Sequence, residues 1–584
     1  MQNDKKHFKK LFRNPINLLF LVGIAFSFYR FSVDGENKWT IRSDGSGYYA
    51  YLPALFIYND PTYHASNRAE AEIHNGVVSD NFLFKTKTGR TYNKFFPGEA
   101  VMQAPFFLLA HFIASISGAE ASGYSEIFQI IFWIGAMFYA FMGLIYYQRF
   151  VQGLFLFNQP VNLVFTQFVL ATPIFFYIFL TPSFSHVYSF FLFSVFLFQV
   201  QKWVSDSSVL RNVKIGLLLG LIFLVRPTNL VILFLLPVLW DSFQTFYDCI
   251  RIRVKKPSFF ISVIGTFLLI FGILPLSWYW QTGQLFIWSY RGEGFNWMEP
   301  NFLRALFSFR SGLILHAPVL ILALIGCVLW FRENRFQAIV WMTFSFVNSW
   351  IIFSWWCWDY EATFGNRPFT EHFLFLGLPI FYLASKKPKL IALTILPFAI
   401  IGVMRLTAYF NGTMSDQRFT SENYLSSLVF WKAENKNRWF FSHACEPYGK
   451  LRSKKSLLEI KELTVNSSDE YVATSLIRFP KKRNGERYYV RMTCEKHIPG
   501  TKKFKDVFFV VDAYNEGFVN RNYKIMPLYN DIYEGIKDWK KLTFETQVYD
   551  YREACTEAKI FIWNPGKHHF KLRNIRVEWF EYGE

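Results

Sequence analysis

The chain has 584 residues, 52% of them hydrophobic and 21% aromatic, and its apolar residues gather in blocks of about 20, the length a helix needs to cross about 30 Å of hydrocarbon, which excludes one soluble core. A formal charge of +19 would suit nucleic acid, but Lys and Arg sit largely in short loops between the blocks and in the C-terminal third, with no recognisable nucleic-acid module. The six cysteines include no CxxC or Cys/His pattern, so neither zinc nor a redox motif is indicated, while Cys445, Cys494 and Cys555 leave room for one disulfide and a free thiol, the pairing open.

In chain order, the basic stretch MQNDKKHFKKLFRNP precedes an apolar run over 16–31 with no small-residue cleavage site, which reads as an uncleaved first helix. Further spans are predicted over 127–147, 161–180, 187–200, 215–225, 230–239, 259–280, 313–331, 338–353, 373–383 and 390–410, about eleven crossings in all. Segment 98–117 is apolar enough to cross as well, and counting it would invert everything downstream. Loop charge decides for a segment lying along or dipping into the outer leaflet. The clusters at Arg149, 202–214, 251–256, 332–335 and 386–389 then all share the cytoplasmic side with the N-terminus. The outer face receives the long first loop, 33–97, and the turns TPSFSH, RPTN, SYRGEGFNWMEPN and WWCWDYEATFGNRP.

Beyond 410 the texture becomes strand-like. LLEIKELTV, EYVATSLIRF, RYYVRMTCE, VFFVVDAY, KKLTFETQVY, AKIFIW and FKLRNIRVEWF are spaced as in an antiparallel sandwich. The expected organisation is a transmembrane domain over 1–410, an interfacial linker over 411–436 that includes NYLSSLVFWKA, and an all-β, jelly-roll-like sandwich over 437–584 outside the cytoplasm.

The sharpest local feature is SDGSGYYAYLP, just after the first helix. Asp44 there is either an Asp-Gly turn residue capping the aromatic helix that follows, or the base that a transfer to a hydroxyl requires. Lys94 and Glu99 lie in NKFFPGEAVMQAPFF, where Pro-Gly is a turn into a surface helix and Lys94 is suited to a phosphate head group. Arg226 in FLVRPTN stands between two short apolar stretches. An intramembrane arginine is costly and persists by snorkelling, by pairing or by lining a cavity, and its planar fork fits two phosphate oxygens. His186 in TPSFSH is a helix-start histidine or a ligand to substrate. Arg291 with Glu293, and Arg310 with His316, are simple ion pairs or outer-face binding groups. In SWWCWDYEATFGNRP the tryptophans 355, 356 and Trp358 are expected at an interface, yet their faces also suit a sugar ring, and Asp359 and Glu361 can bind hydroxyls or pair with Arg367.

This set resembles the GT-C superfamily of polyprenyl-phosphate-sugar glycosyltransferases, which includes protein O-mannosyltransferases and lipid A aminoarabinose transferases. The resemblance covers roughly residues 10–410 and rests on SDGSGYYAYLP, NKFFPGEAVMQAPFF, VRPTN and the WxW…FGNRP loop. It implies a polytopic α-helical enzyme of the bacterial inner membrane in which Asp44 is the catalytic carboxylate. Lys94, His186, Arg226, Arg291, Arg310, Trp358, Asp359, Glu361 and Arg367 are the candidate substrate-binding groups. The implied partners are a polyprenyl-phosphate-linked sugar and a glycan, lipid or protein acceptor. Many members carry an acidic pair in the first loop, whereas here Asp44 stands beside Gly45, which leaves metal participation open; with no acidic cluster beyond Asp359 and Glu361 to hold a divalent ion, a metal-independent mechanism without other cofactors is the expectation. Two rival readings are a flippase for lipid-linked sugars, for which an internal repeat is missing, and a non-catalytic anchor for a sugar-binding sandwich.

Overall fold

The structure is a computed structural model that describes residues 15–33, 40–73, 82–157, 161–290, 293–309, 311–358, 360, 364–410, 450–478, 487–496, 507–514, 521–528, 539–549 and 557–583. The chain divides into two compact units, one helical and reaching to residue 403, the other holding mainly residues 404–584.

The helical unit opens with α1 (Pro15–Val33), begun on a proline whose missing N–H is one of the donors a first turn leaves unpaired. Short helices α2 (Asp44–Tyr49), α3 (Tyr51–Phe56) and α4 (His64–Ile73) and a hairpin of β1 (Leu83–Lys85) and β2 (Thr91–Asn93) lead to α5 (Gly98–Ser117) and α6 (Glu126–Leu154). The predicted span 161–180 is two pieces, α7 (Asn162–Leu170) and α8 (Ile174–Phe179), parted at Pro173, which has no N–H to continue the ladder. Next come α9 (His186–Ser205) and α10 (Val209–Val225), which stops at Arg226-Pro227 and gives way to a 3-10 helix over Pro227–Leu239.

Helix α11 (Phe243–Val254) leaves that 3-10 helix at a 111° bend. A capping box between Ser242 and Thr245 starts it, and none of its residues is buried. The run continues through α12 (Pro257–Phe271), α13 (Ile273–Thr282), α14 (Phe302–Phe307), α15 (Leu313–His316), α16 (Leu320–Glu333) and α17 (Arg335–Ser354). After a 3-10 turn at Arg367–Phe369 it ends with α18 (Phe373–Leu376), α19 (Leu378–Lys386) and α20 (Pro388–Phe410). Among the described residues six helices are each long and apolar enough to cross a membrane, α5, α6, α9, the joined α12 and α13, α17 and α20. The other apolar segments are shorter or broken.

Side-chain contacts fix the directions of the early helices. The amides of Thr40 and Ile41, just past α1, both donate to Gln129 Oε1 near the start of α6, at 3.0 and 2.9 Å. Phe20 of α1 meets Phe141 farther along α6, so α1 and α6 are antiparallel. Helix α5 is antiparallel to α6 as well, since Gln103 donates to Phe132 O and Tyr139 to Met102 O while Phe107 packs on Phe128. It follows that α5 runs the same way as α1. Helices α7 and α8 return along α6, with Phe165 on Tyr147 and Phe179 on Phe20. Helix α9 then runs parallel to α6, with Gly143 beside Phe190 and Gln201 donating to Phe150 O. The Trp203–Asn212 hydrogen bond ties the end of α9 to the start of α10, which runs back along it.

Gly216 and Gly220 of α10 form a small-xxx-small face. A Cβ at Gly216 would stand 2.0 Å from Thr266 Oγ1, and one at Gly220 would stand 2.6 Å from Ile270, which is why glycine lets α10 and α12 approach so closely.

The second unit contains two four-stranded antiparallel sheets, built from β3 (Lys450–Val465), β4 (Tyr471–Arg478), β5 (Arg487–Lys496), β6 (Phe508–Tyr514), β7 (Arg521–Pro527), β8 (Lys540–Tyr549), β9 (Glu557–Trp563) and β10 (Phe570–Gly583). Their orders, β3-β10-β5-β8 and β4-β9-β6-β7, are those of a jelly roll. Alternate residues of both sheets fill one core, among them Val490, Met492, Val511, Phe544, Ile560, Ile562, Leu572 and Trp579. All seven strands expected from the sequence are present. Among the described residues there is an eighth, RNYKIMP, which the sequence reading did not pick out. Cys494 is a free, buried thiol in that core, and Cys445, Cys555 and the linker 411–436 lie outside the described residues.

Candidate active site

Four segments far apart in sequence meet at one end of the helical unit. The first is the SDGSG turn. Ser43 takes a left-handed φ of 54° and the amide of Gly45 donates to Arg42 O at 3.1 Å. A Cβ at Gly45 would stand 2.4 Å from Ser183, so the turn is pressed into the TPSFS loop and only glycine fits. Asp44 is the first residue of α2, and the residue at its N-cap is Ser43. The Asp44 carboxylate points across the site, where Oδ2 accepts from Arg367 Nη2 at 2.9 Å, with the Asp44 side chain 30% exposed and Arg367 17%.

Arg367 enters from the NRPF turn, and its guanidinium also lies 5.2 Å over the Phe184 ring. Arg226 comes from the break between α10 and the 3-10 helix. It donates to Ser185 Oγ at 3.0 Å and to Glu371 Oε1 at 3.4 Å and stays 28% exposed. His186, at the start of α9, bonds through Nδ1 to Glu371 Oε2 at 2.6 Å. Glu371 is fully buried and bridges the two. Burial alone would raise its carboxyl, but the His186 hydrogen bond and the Arg226 charge outweigh that and hold it at about 2. Burial pushes the adjacent His372 down to about 4, although Glu371 opposes the change.

Lys94 forms a second pair at the rim, with Glu293 Oε1 at 3.1 Å, and its ammonium lies over Phe95 and Tyr290. Glu99, in the first turn of α5, is 1% exposed and neither carboxylate oxygen has a hydrogen-bond partner among the described residues. It lies within electrostatic reach of Arg226 and Asp44. Burial also raises the Tyr48 phenol, against the pull of Arg226, so that it stays neutral between Asp44 and Ser185.

Of the residues expected from sequence, Asp44, His186, Arg226 and Arg367 therefore join one network, and Lys94 belongs to the separate Glu293 pair. Trp358 is half-buried. Trp355 packs edge-on against Tyr290 and Phe295. Arg291, Arg310, Asp359 and Glu361 lie outside the described residues. No group of three or more His, Cys, Asp or Glu that could hold a metal ion occurs among the described residues. The sequence reading missed Glu371. Its signal was available: an acid at the mouth of the apolar run FLFLGLPIF is as costly as Arg226 and calls for the same explanation.

Fold and site together define an α-helical membrane protein with a β-sandwich and a rim of interlinked carboxylates and arginines. No protein-family model matches this chain, nor does any curated protein. Among solved structures, the cryo-EM structure of arabinosyltransferase EmbB from Mycobacterium smegmatis is similar at 10% identity and a TM-score of 0.28, over 96% of this chain and 64% of that one. The chain thus spans less than two thirds of EmbB, and a likeness so slight carries no argument about activity.

Proposed function

We propose that this chain is an inverting, GT-C-like glycosyltransferase that moves a sugar from a polyprenyl-phosphate donor to a hydroxyl on an extracytoplasmic glycan, lipid or protein. The observation that carries the reading is the Asp44–Arg367 pair beside Arg226. A half-exposed carboxylate and two arginines share one rim, which is the equipment for deprotonating a hydroxyl and stabilising a departing phosphate.

The helix directions support the sidedness this reading needs. Because α5 runs the same way as α1, it does not cross back from the side where α1 ends, although its length and apolarity would suffice. Leaving it out gives about eleven crossings, and puts Asp44, Arg226 and Arg367 outside with the basic clusters at Lys202, Arg251 and Lys386 on the cytoplasmic side.

In the reaction the donor enters laterally from the outer leaflet with its phosphate at Arg226. Glu371 and Ser185 hold that guanidinium in place, Asp44 takes the acceptor's proton, and the hydroxyl attacks the anomeric carbon from the face opposite the phosphate. The chain's own residues supply base and counter-charge in this scheme, without a metal. Purified protein in vesicles, offered a panel of lipid-phosphate sugars and envelope glycans and scored by mass spectrometry, should transfer one sugar. Transfer of none by wild-type protein, or undiminished transfer by Asp44→Asn, would refute the assignment.

A further inference from the structure

The end of the helical unit far from Asp44 carries a second constellation, one that the reaction does not use. Helix α9 starts at His186 in the site and ends at Ser205, about 30 Å along at 1.5 Å per residue. Arg253 of α11 donates to Val204 O there at 2.7 Å and lies over the Trp203 ring, so α11 sits at that far end. It leaves the 3-10 helix at a 111° bend and therefore runs across the end of that element rather than on from it.

The composition of α11 suits a boundary between apolar and polar surroundings. Phe243, Phe246, Tyr247, Ile250 and Val254 recur at three- and four-residue spacing on one side, and none of them is buried. Phe243 is 64% exposed and Tyr247 46%. Their rings stack at 6.2 Å, and Arg251, one turn beyond Tyr247, lies 5.9 Å over the tyrosine ring. An exposed aromatic pair thus has a guanidinium at its edge. Asp248 follows Tyr247 by one residue and so lies on another side of the helix, where it accepts from Gln244 at 2.8 Å.

A groove opens beside this pair. Phe243 meets Phe336 of α17 at 6.5 Å, and Gln337 donates to Val238 O at 3.0 Å, which ties the first turn of α17 to the end of the 3-10 helix. One turn farther along, Ile339, Val340 and Thr343 of α17 line an open groove of about 470 Å³ with Leu233, Phe234 and Pro237 of the 3-10 helix. Ligand pockets run from about 300 to 1,000 Å³, and of these six lining residues five are apolar. Arg335, exposed and adjacent to Phe336 in the chain, begins α17 at the same end of the groove as the aromatic pair. An apolar groove with cations at one end is complementary to an amphiphile whose anionic group stays at the polar boundary while its chain lies along the protein. A zwitterionic headgroup would bring a cation of its own to the two guanidiniums, and a small free anion would leave the groove unfilled.

We propose that this groove holds one acyl chain of an anionic bilayer phospholipid, with the headgroup phosphate at Arg251 and Arg335 and the glycerol region against Phe243 and Tyr247. The site is independent of the chemistry at Asp44. The 3-10 helix that forms one wall begins next to Arg226, so the bound lipid braces the element on which that arginine is mounted.

The test uses full-length protein in detergent, with phosphatidylglycerol, phosphatidylcholine or polyprenyl monophosphate added separately. Bound lipid is counted by native mass spectrometry and Tm is followed by thermal unfolding. Phosphatidylglycerol should remain at one copy per chain and raise Tm with its concentration, as a ligand of the folded state does, and phosphatidylcholine should bind about tenfold more weakly. Arg251→Gln combined with Arg335→Gln should weaken phosphatidylglycerol by about tenfold as well. Thr343→Trp fills the groove from an exposed position and should abolish the bound copy while the lipid-free Tm stays close to that of wild type. Arg149→Gln, which removes an exposed cation of α6, should leave binding unchanged. Equal retention of phosphatidylcholine and phosphatidylglycerol, or phosphatidylglycerol binding that survives in either folded variant, overturns the proposal. Preferential retention of polyprenyl monophosphate, lost in Thr343→Trp, overturns it too, by giving the groove a different occupant.

Discussion

The two ends of the helical unit use the same residue types to opposite effect. At the end far from Asp44, Lys386 pairs with Glu333 at 2.8 Å and Arg211 with Asp206 at 2.7 Å, in pairs open at least on one side to solvent and, for the second, only five residues apart. At the Asp44 end Arg226 and His186 converge on a Glu371 that no solvent reaches, from segments 145 and 185 residues away. An exposed pair trades water for a flexible partner and gains little, whereas a buried carboxylate has no alternative to its partners.

The largest effect should come from Asp44→Asn. Turnover should fall by about 10²–10⁴, the usual contribution of a general base, while donor still binds in a filter or fluorescence assay. Next, Glu371→Ala leaves Arg226 and His186 facing an empty, dry position and should cost about 3–5 kcal/mol of stability, seen as a fall in Tm in detergent. Comparable stability of that variant and wild type would erase the contrast between the ends.

A third expectation concerns acid. The folded chain keeps His372 neutral from its ordinary 6.5 down to about 4, so between those values the unfolded chain binds more protons and stability falls as pH drops. Glu371, depressed from 4.5 to about 2, contributes stability above its unfolded value that is lost as pH falls through about 2. Tm should therefore decline from pH 7 to 5, and His372→Phe should flatten that decline. The smallest effect belongs to Lys386→Ala, whose exposed pair with Glu333 should be worth about 0–1 kcal/mol and less at high salt.

Much of this was legible in the sequence because it is written in local periodicity. The apolar blocks, the basic loops and seven of eight strands follow from residue spacing alone, and Asp44, Arg226 and Arg367 drew notice as charges next to apolar runs. Other features were not legible. The break at Pro173 divides a segment that hydropathy reads as a simple crossing, and β7 carries only the short alternation Tyr523-Lys524-Ile525. Whether Asp44 caps its own helix or serves elsewhere turned on the position of Arg367, 323 residues later. The weight of Glu371 depended on which cations would face it.

The sequence by itself determined that this chain partitions into a bilayer and carries a β-rich C-terminal region, since both follow from composition summed over short windows. Only the tertiary structure decided which charges meet, that α5 runs with α1, and that one carboxylate binds two basic groups at once. The physical reason is range: hydrophobic burial is set residue by residue along the chain, while a buried ion pair depends on two groups that only the packing of distant helices brings within about 3 Å of each other.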